Sequence, residues 1–134
     1  MNQPFQTFLE SFVESWENFL IADFKRIISI DYQAREVRNG EIFDFGYDES
    51  IQGWEHAFNE FRDKDVQWVL KEKSVIQLKE NEVMSILSAS LIVEGKPLET
   101  ANLFFQIFRM ENDGWKLVRS YIEAGLPRRY VFIT

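Results

Sequence analysis

The chain has 134 residues, which predicts one domain, and its 46% apolar content is ordinary for a globular protein. The net charge of −7 argues against nucleic acid or an anionic membrane as the main partner, because both attract positive surfaces. Zero cysteines and a single histidine exclude disulfides, thiolate chemistry and multi-histidine metal sites. We therefore expect no metal site and no cofactor.

The expected compartment is the cytoplasm. The sequence contains no run of about 18 apolar residues that could span a membrane. Residues 1–4 also lack the basic and apolar regions of a signal peptide.

Helical spacing of apolar residues fills much of the first half of the chain. The predicted helices cover residues 4–22, 24–30 and 51–62. Asp23 and Ser50 are the expected N-caps of the second and third helices. Two short extended runs flank Asn39-Gly40, a dipeptide typical of tight hairpins. The predicted strands of this hairpin cover residues 32–38 and 41–47.

The second half of the chain has the pattern of long strands separated by turn residues. The predicted strands cover residues 66–79, 82–94, 98–111 and 114–125. Long antiparallel strands that follow a group of helices predict an α+β fold, with a strongly curved sheet wrapped around the helices.

The turn at Asn112-Asp113-Gly114 gives a register for the last two strands. A two-residue loop places even-numbered residues of the first strand beside odd-numbered residues of the second. One face then mixes aromatic and polar side chains, as the wall of a ligand cavity does: Asn102, Phe104, Gln106, Phe108, Met110, Trp115, Leu117, Arg119, Tyr121 and Glu123. A three-residue loop would exchange the two faces.

The opposite face of this hairpin is also apolar, although one face of an antiparallel sheet is usually polar. A second copy of the chain would cover it. We therefore expect a homodimer through an outer sheet face formed by Leu103, Phe105, Ile107, Val118 and Ile122.

Several segments resemble a known family. They are Asp23-Phe24, Phe45–Glu49 (FGYDE), Gly53–Ala57 (GWEHA) and Phe108–Val118 (FRMENDGWKLV). These segments and the order of the predicted elements resemble the nuclear transport factor 2-like superfamily. The closer likeness is to its SnoaL-like branch, which includes polyketide cyclases.

The resemblance implies a single SnoaL-like domain over residues 1–134, with a core over about 5–125 and a C-terminal tail over 126–134. It implies a cystatin-like α-β roll, in which a cone-shaped, strongly curved, mixed or antiparallel sheet encloses an apolar pocket. It also implies a dimer. The apolar end of the tail is expected on the sheet or on a partner chain. The superfamily hosts both enzymes and non-catalytic binders, so the fold does not settle the function.

The sequence departs from the family after the Trp-Lys-apolar-Val run. Many relatives have histidines there, whereas this chain has Arg119 and Tyr121, so an Asp–His catalytic pair is not supported. The catalytic candidates are Arg119 as an anion clamp, Tyr121 as a hydrogen-bond donor and Glu123 as a base. The alternative is a salt bridge from Arg119 beside a packed tyrosine. The lone His56 lies off the apolar stripe of its helix and is expected to be exposed.

The favoured hypothesis is a protein that binds a small apolar or aromatic ligand in the cone pocket. The expected ligand-binding residues are Arg119, Tyr121, Glu123, Gln106, Asn102, Phe104, Tyr32 and Trp54. One alternative is an isomerase, cyclase or hydrolase that uses a pocket carboxylate with Tyr121 and Arg119. A second alternative is a dimeric assembly domain without a ligand.

Overall fold

Helices at the start of the chain and long strands after them make up the computed structural model, which describes residues 4–132. The helices are α1 (Phe5–Glu17), α2 (Ile21–Ile27), α3 (Tyr47–Arg62) and α4 (Arg128–Val131). The strands are β1 (Ile28–Arg38), β2 (Glu41–Gly46), β3 (Val66–Lys79), β4 (Glu82–Val93), β5 (Lys96–Pro97), β6 (Thr100–Glu111) and β7 (Gly114–Pro127). The predicted α+β fold is confirmed.

One curved sheet contains all seven of these strands, in the order β2-β1-β7-β6-β4-β3, with the short β5 paired to β4. Strands β1 and β7 run parallel, and the other pairs are antiparallel. The sheet is therefore mixed. Its inner face packs against α1, α2 and α3, and its outer face carries α4.

The core is an aromatic cluster between α1 and the inner face of the sheet. On α1 the side chains of Phe8, Leu9, Phe12 and Trp16 are buried at helical spacing. The Trp16 ring stands nearly perpendicular to that of Phe104, with 4.9 Å between centroids. Each such aromatic pair adds about 0.5–1.5 kcal/mol beyond its buried area. These contacts hold α1 against the sheet.

Helix α1 ends at Glu17, earlier than the predicted end at residue 22. Phe19 has a left-handed φ of 57°, and the Leu20 N–H donates to the Ser15 carbonyl at 2.9 Å. This is a Schellman turn with phenylalanine in the position that glycine usually occupies. Helix α2 consequently begins at Ile21, so Asp23 lies inside its first turn, and the prediction of Asp23 as N-cap was wrong.

Helix α3 begins at Tyr47, four residues before the predicted start. Gly46 is the N-cap, and its N–H donates to Glu49 Oε1 at 3.1 Å. The prediction of Ser50 as N-cap was therefore wrong. Ser50 lies inside the helix instead, and its side chain is buried against the sheet side.

The C-terminal tail packs on the outer face of the sheet of its own chain. The Val131 carbonyl accepts hydrogen bonds from Ser88 Oγ at 2.6 Å and from Lys73 Nζ at 3.1 Å. Residues 1–3 and 133–134 of the expected domain and tail lie outside the described residues. Within residues 4–132, no helix is both long and apolar enough to cross a membrane.

Candidate functional site

A β-bulge in β7 decides which side chains face the interior. The turn has the predicted two-residue loop, and Phe108 lies opposite Leu117 as expected. The next pair is Ile107 with Arg119, so Val118 is an extra residue on β7. Because side chains alternate along a strand, this single extra residue reverses the facing of β7 from Arg119 to Glu123, as far as a second bulge at Gly125.

The three catalytic candidates therefore lie on the outer face, and their predicted placement in the pocket was wrong. Arg119 forms an ion pair with Glu82, with 3.3 Å between Nη2 and Oε1. Tyr121 is 39% exposed, and its hydroxyl donates to the Glu123 carboxylate. That hydrogen bond, more than burial, raises the pKa of Tyr121 above its ordinary value. The three groups therefore form two separate pairs outside the cone, Arg119 with Glu82 and Tyr121 with Glu123.

The bulge also corrects the predicted dimer face. Ile122 is buried and faces inward, and Val118 at the bulge is only 3% exposed, so neither is available to a partner. Leu103, Phe105 and Ile107 keep their predicted outward facing and are half-buried. They share the outer face with Tyr121 and Glu123 of β7, to which Phe105 and Leu103 are paired.

A cavity of about 520 Å³ lies between α3 and the inner face of the sheet. This volume is within the range of small-molecule sites, about 300–1,000 Å³. Its wall is largely aromatic, and it is lined by five of the predicted ligand-binding residues: Tyr32, Trp54, Asn102, Phe104 and Gln106. The aromatic and polar lining that the sequence pattern indicated is therefore provided by β1, α3 and β6. The three catalytic candidates on β7 do not contribute to it.

A row of polar side chains crosses the inner face of the sheet beside this cavity. Ser120 on β7 lies opposite Gln106 on β6, and Gln106 lies opposite Ser85 on β4. All three are buried, and each has a side-chain oxygen without a hydrogen-bond partner among the described residues. Unpartnered buried oxygens are uncommon in folded proteins. We call Ser85, Gln106 and Ser120 the polar row.

Sequence reasoning missed both serines of the polar row. A regular two-residue hairpin would place Ser120 on the outer face, and the hydrophobic pattern does not mark the bulge that turns it inward. Ser85 lies in β4 between Met84 and Ile86, and its inward facing follows from its pairing with Gln106. Serine at an inward position of an otherwise apolar strand is the signal that would have identified it.

Two further unpartnered polar groups belong to residues that line the cavity. They are Ser50 Oγ on α3 and Trp68 Nε1 on β3, and both are buried. Ser50 faces the cavity because it lies at helical spacing from Trp54, Ala57 and Phe61 of α3, which also line it. The cavity therefore receives hydrogen-bonding groups from the helix as well as from the sheet.

Tyr32 contributes a phenol that stays protonated. Burial raises its pKa from 10.0 to about 12, and the nearby hydroxyls of Ser120 and Ser50 only partly oppose that rise. Neither serine oxygen completes a hydrogen bond of good geometry. At neutral pH Tyr32 is therefore an uncharged hydroxyl that can donate a hydrogen bond.

The carboxylates that line the cavity already have partners. Arg38 Nε donates to Glu36 Oε2 at 3.0 Å, and Glu49 Oε1 accepts the Gly46 N–H at the start of α3. Both carboxylates keep contact with solvent. Within residues 4–132, no buried and unpaired carboxylate faces the cavity.

His56 and the acidic residue Asp44 lie away from the cavity interior. His56 is exposed on α3, as predicted. Asp44 forms an ion pair with Arg35, whose guanidinium donates to both carboxylate oxygens at 2.7 and 2.9 Å. This pairing lowers the pKa of Asp44 below its ordinary value. No group of three or more potential metal ligands converges within the part of the chain that the structure describes.

Comparisons with known proteins find similarity to this chain in fold but not in sequence families. No family model matches the chain, and no curated protein matches it. Solved structures, in contrast, match it over most of its length.

Three of these structures illustrate the likeness. An NTF-2-like protein of unknown function from Shewanella oneidensis has 13% identity and a TM-score of 0.68, covering 89% of this chain and 95% of its own. A ketosteroid isomerase-like protein from Erwinia carotovora atroseptica has 13% identity and a TM-score of 0.64, covering 89% and 92%. A protein of unknown function with a cystatin-like fold from Nostoc punctiforme has 16% identity and a TM-score of 0.64, covering 95% and 98%.

Proposed function

Because the chain has the nuclear transport factor 2-like fold, we propose that it uses the interior of that fold to bind a small apolar or aromatic molecule. At sequence identities of 13–16%, the likeness to these structures supports a shared fold and does not indicate a function. The proposal rests on the cavity of this chain, because one fold hosts many functions. The SnoaL-like branch and the cytoplasmic location stay predictions.

The observation that supports binding best is the cavity of about 520 Å³ with its aromatic wall. Trp54 and Trp68 stand with 6.5 Å between ring centroids, and Phe61 lies 6.3 Å from Trp68. These rings keep apolar surface available to a ligand, and burial of apolar area is worth about 25 cal/mol per Å². A few polar groups in an apolar cavity are typical of ligand sites.

Binding is favoured over catalysis by the state of the acidic groups. An enzyme of the isomerase, cyclase or hydrolase type needs a carboxylate that faces its substrate. Glu123, the expected base, lies on the outer face beside Tyr121, and Glu36 at the cavity is paired with Arg38. Among the described residues, the cavity therefore has an aromatic lining but no unpaired carboxylate that could act as a base.

Isothermal titration calorimetry with naphthol, a small neutral aromatic, tests this function. We expect saturable binding with one site per chain. Ala57 lines the cavity, so Ala57→Phe fills part of it and should weaken binding by about tenfold or more. Ala22→Phe, on the exposed surface of α2, is the matched control and should bind as the wild type does. Absence of saturable binding in the wild type would overturn the proposal and favour the assembly domain.

We also propose that the outer face pairs two copies of the chain. The apolar side chains Phe105 and Ile107 lie beside Ile86 and Met84, to which they are paired across β6 and β4. Together with Leu103 they form an apolar surface with Tyr121 at its edge, and such surfaces are typical of interfaces. A closed dimer would bury this surface on both copies at once.

A further inference from the structure

We infer that the ligand of this cavity is an uncharged aromatic molecule with a hydroxyl or N–H group that donates a hydrogen bond to Gln106. The inference rests on the proposed binding function and names the class of ligand. It is based on the unpartnered groups around the cavity and on the absence of free charge among the described lining residues.

Gln106 is the most buried polar residue among those that line the cavity. The residue is 2% exposed, and its Oε1 atom has no hydrogen-bond partner among the described residues. Leaving a buried acceptor unpaired destabilises the protein, and a hydrogen bond to that acceptor removes this penalty. A ligand that brings a donor to Oε1 therefore gains affinity that a purely apolar ligand of the same shape does not.

Other residues that line the cavity provide donors. Tyr32 is a protonated phenol at neutral pH, and the hydroxyl of Ser50 and the indole N–H of Trp68 are buried without partners. A ligand group that also accepts a hydrogen bond satisfies one of these donors. A phenolic hydroxyl does both, because it donates one hydrogen bond and accepts others.

Charge excludes ionised ligands from the inner part of the cavity. Among the described lining residues, the cation is Arg38, which is half-exposed and paired with Glu36. A carboxylate that moves inside would lose its hydration without gaining a cation, and that loss is large for an isolated charge. The chain's net charge of −7 opposes anions further.

The test compares three ligands of similar shape by isothermal titration calorimetry at neutral pH. Naphthol both donates and accepts, methoxynaphthalene only accepts, and naphthoate is an anion. We expect naphthol to bind about tenfold more tightly than methoxynaphthalene, because only naphthol pairs Gln106 Oε1. Naphthoate should bind more weakly than either.

The variant Gln106→Leu separates a ligand-binding role from a structural one. It should weaken naphthol binding to the level of methoxynaphthalene and leave methoxynaphthalene binding unchanged. Its melting temperature should equal or exceed that of the wild type, because the variant removes an unpaired buried acceptor. Gln67→Leu, at an exposed position of β3, is the control and should keep the wild-type preference.

The outcomes separate this inference from the proposed function. If none of the three compounds binds, the binding function itself fails. If naphthol and methoxynaphthalene bind equally, or naphthoate binds best, the function stands and the inference is overturned. A Gln106→Leu protein that melts at a lower temperature and keeps its preference for naphthol would also overturn it, because Gln106 would then be a structural residue.

Discussion

Arg119 reaches from β7 over the neighbouring β6 to place its Nη2 atom 3.3 Å from Oε1 of Glu82 on β4. The two partners differ in environment, since the Glu82 side chain is 8% exposed and that of Arg119 is 49% exposed. A buried carboxylate needs a nearby cation more than an exposed guanidinium needs an anion. The ion pair therefore neutralises Glu82 on the outer face and leaves Arg119 unavailable to the cavity.

Replacing Arg119 by methionine should lower the free energy of unfolding by about 1 kcal/mol, because Glu82 loses its partner while solvent screens part of the loss. Urea denaturation measures this change. The affinity for naphthol should stay at the wild-type value, since Arg119 lies outside the cone. Arg129→Met, on the exposed surface of α4, is the control with little effect on stability. Loss of naphthol binding in Arg119→Met would contradict the outer placement.

Tyr32 should make stability depend on pH in the alkaline range. Below pH 10.0 the phenol is protonated in the folded and unfolded states. Between pH 10.0 and about 12 only the unfolded state loses the proton, because the folded pKa is raised. The free energy of unfolding should therefore fall as the pH rises through this window, by about 2 kcal/mol in total.

Denaturation of the wild type and Tyr32→Phe at a series of alkaline pH values isolates this effect. Tyr121 also has a raised pKa, but it is exposed and is present in both proteins. The difference in unfolding free energy between the two proteins should be constant below pH 10.0 and should change above it. A difference that is independent of pH would show that the pKa of Tyr32 is not raised in the folded protein.

The same substitution should have opposite effects at two glycines. Gly125 has a φ of +72° at a second bulge, and its N–H donates to Asn102 Oδ1 at 3.0 Å. Gly125→Ala should destabilise the fold by about 1 kcal/mol, because a Cβ is strained in this left-handed conformation. Gly53→Ala in α3 meets no atom within 4 Å and should stabilise it by about 0.5–1 kcal/mol. Thermal denaturation would contradict this account if both variants shifted in the same direction.

The outer face gives a prediction for the state of assembly. The wild type should have the mass of a dimer in light scattering at micromolar concentration, and Phe105→Glu should have the mass of a monomer. The substitution places a charge inside the apolar surface, which is costly when the surface is covered. Leu20→Glu, an exposed position on the helix side, should remain dimeric. A monomeric wild type would remove the proposed interface.

The sequence predicted the fold well where one pattern covers a whole element. The predicted limits of β3 are those observed, and the other long strands differ by one or two residues, because alternation and turn residues mark both ends. The helix ends were less predictable. Helix α1 ends before Phe19, whose left-handed backbone conformation is usually adopted by glycine and is therefore hard to predict for phenylalanine. Helix α3 is capped by Gly46, four residues before the expected cap, Ser50.

The candidate site was predictable as far as the bulge. Tyr32, Trp54, Asn102, Phe104 and Gln106 line the cavity, because their strands and helix have regular spacing. Beyond Leu117 the phase of β7 changes, and nothing in the apolar pattern marks the change, because both faces of that strand carry large side chains. Only the strand pairing reveals which set is inside.

The extra residue at Val118 decides the chemistry of the chamber lining. If Val118 were taken into a regular ladder opposite Ile107, Arg119 would lie opposite Gln106, and Arg119, Tyr121 and Glu123 would turn inward in place of Ser120 and Ile122. Deleting Val118 would instead leave Arg119 opposite Ile107, and the interior would stay neutral. A slip of β7 by one residue, rather than a series of point mutations, therefore separates an inert container from an acid–base chamber.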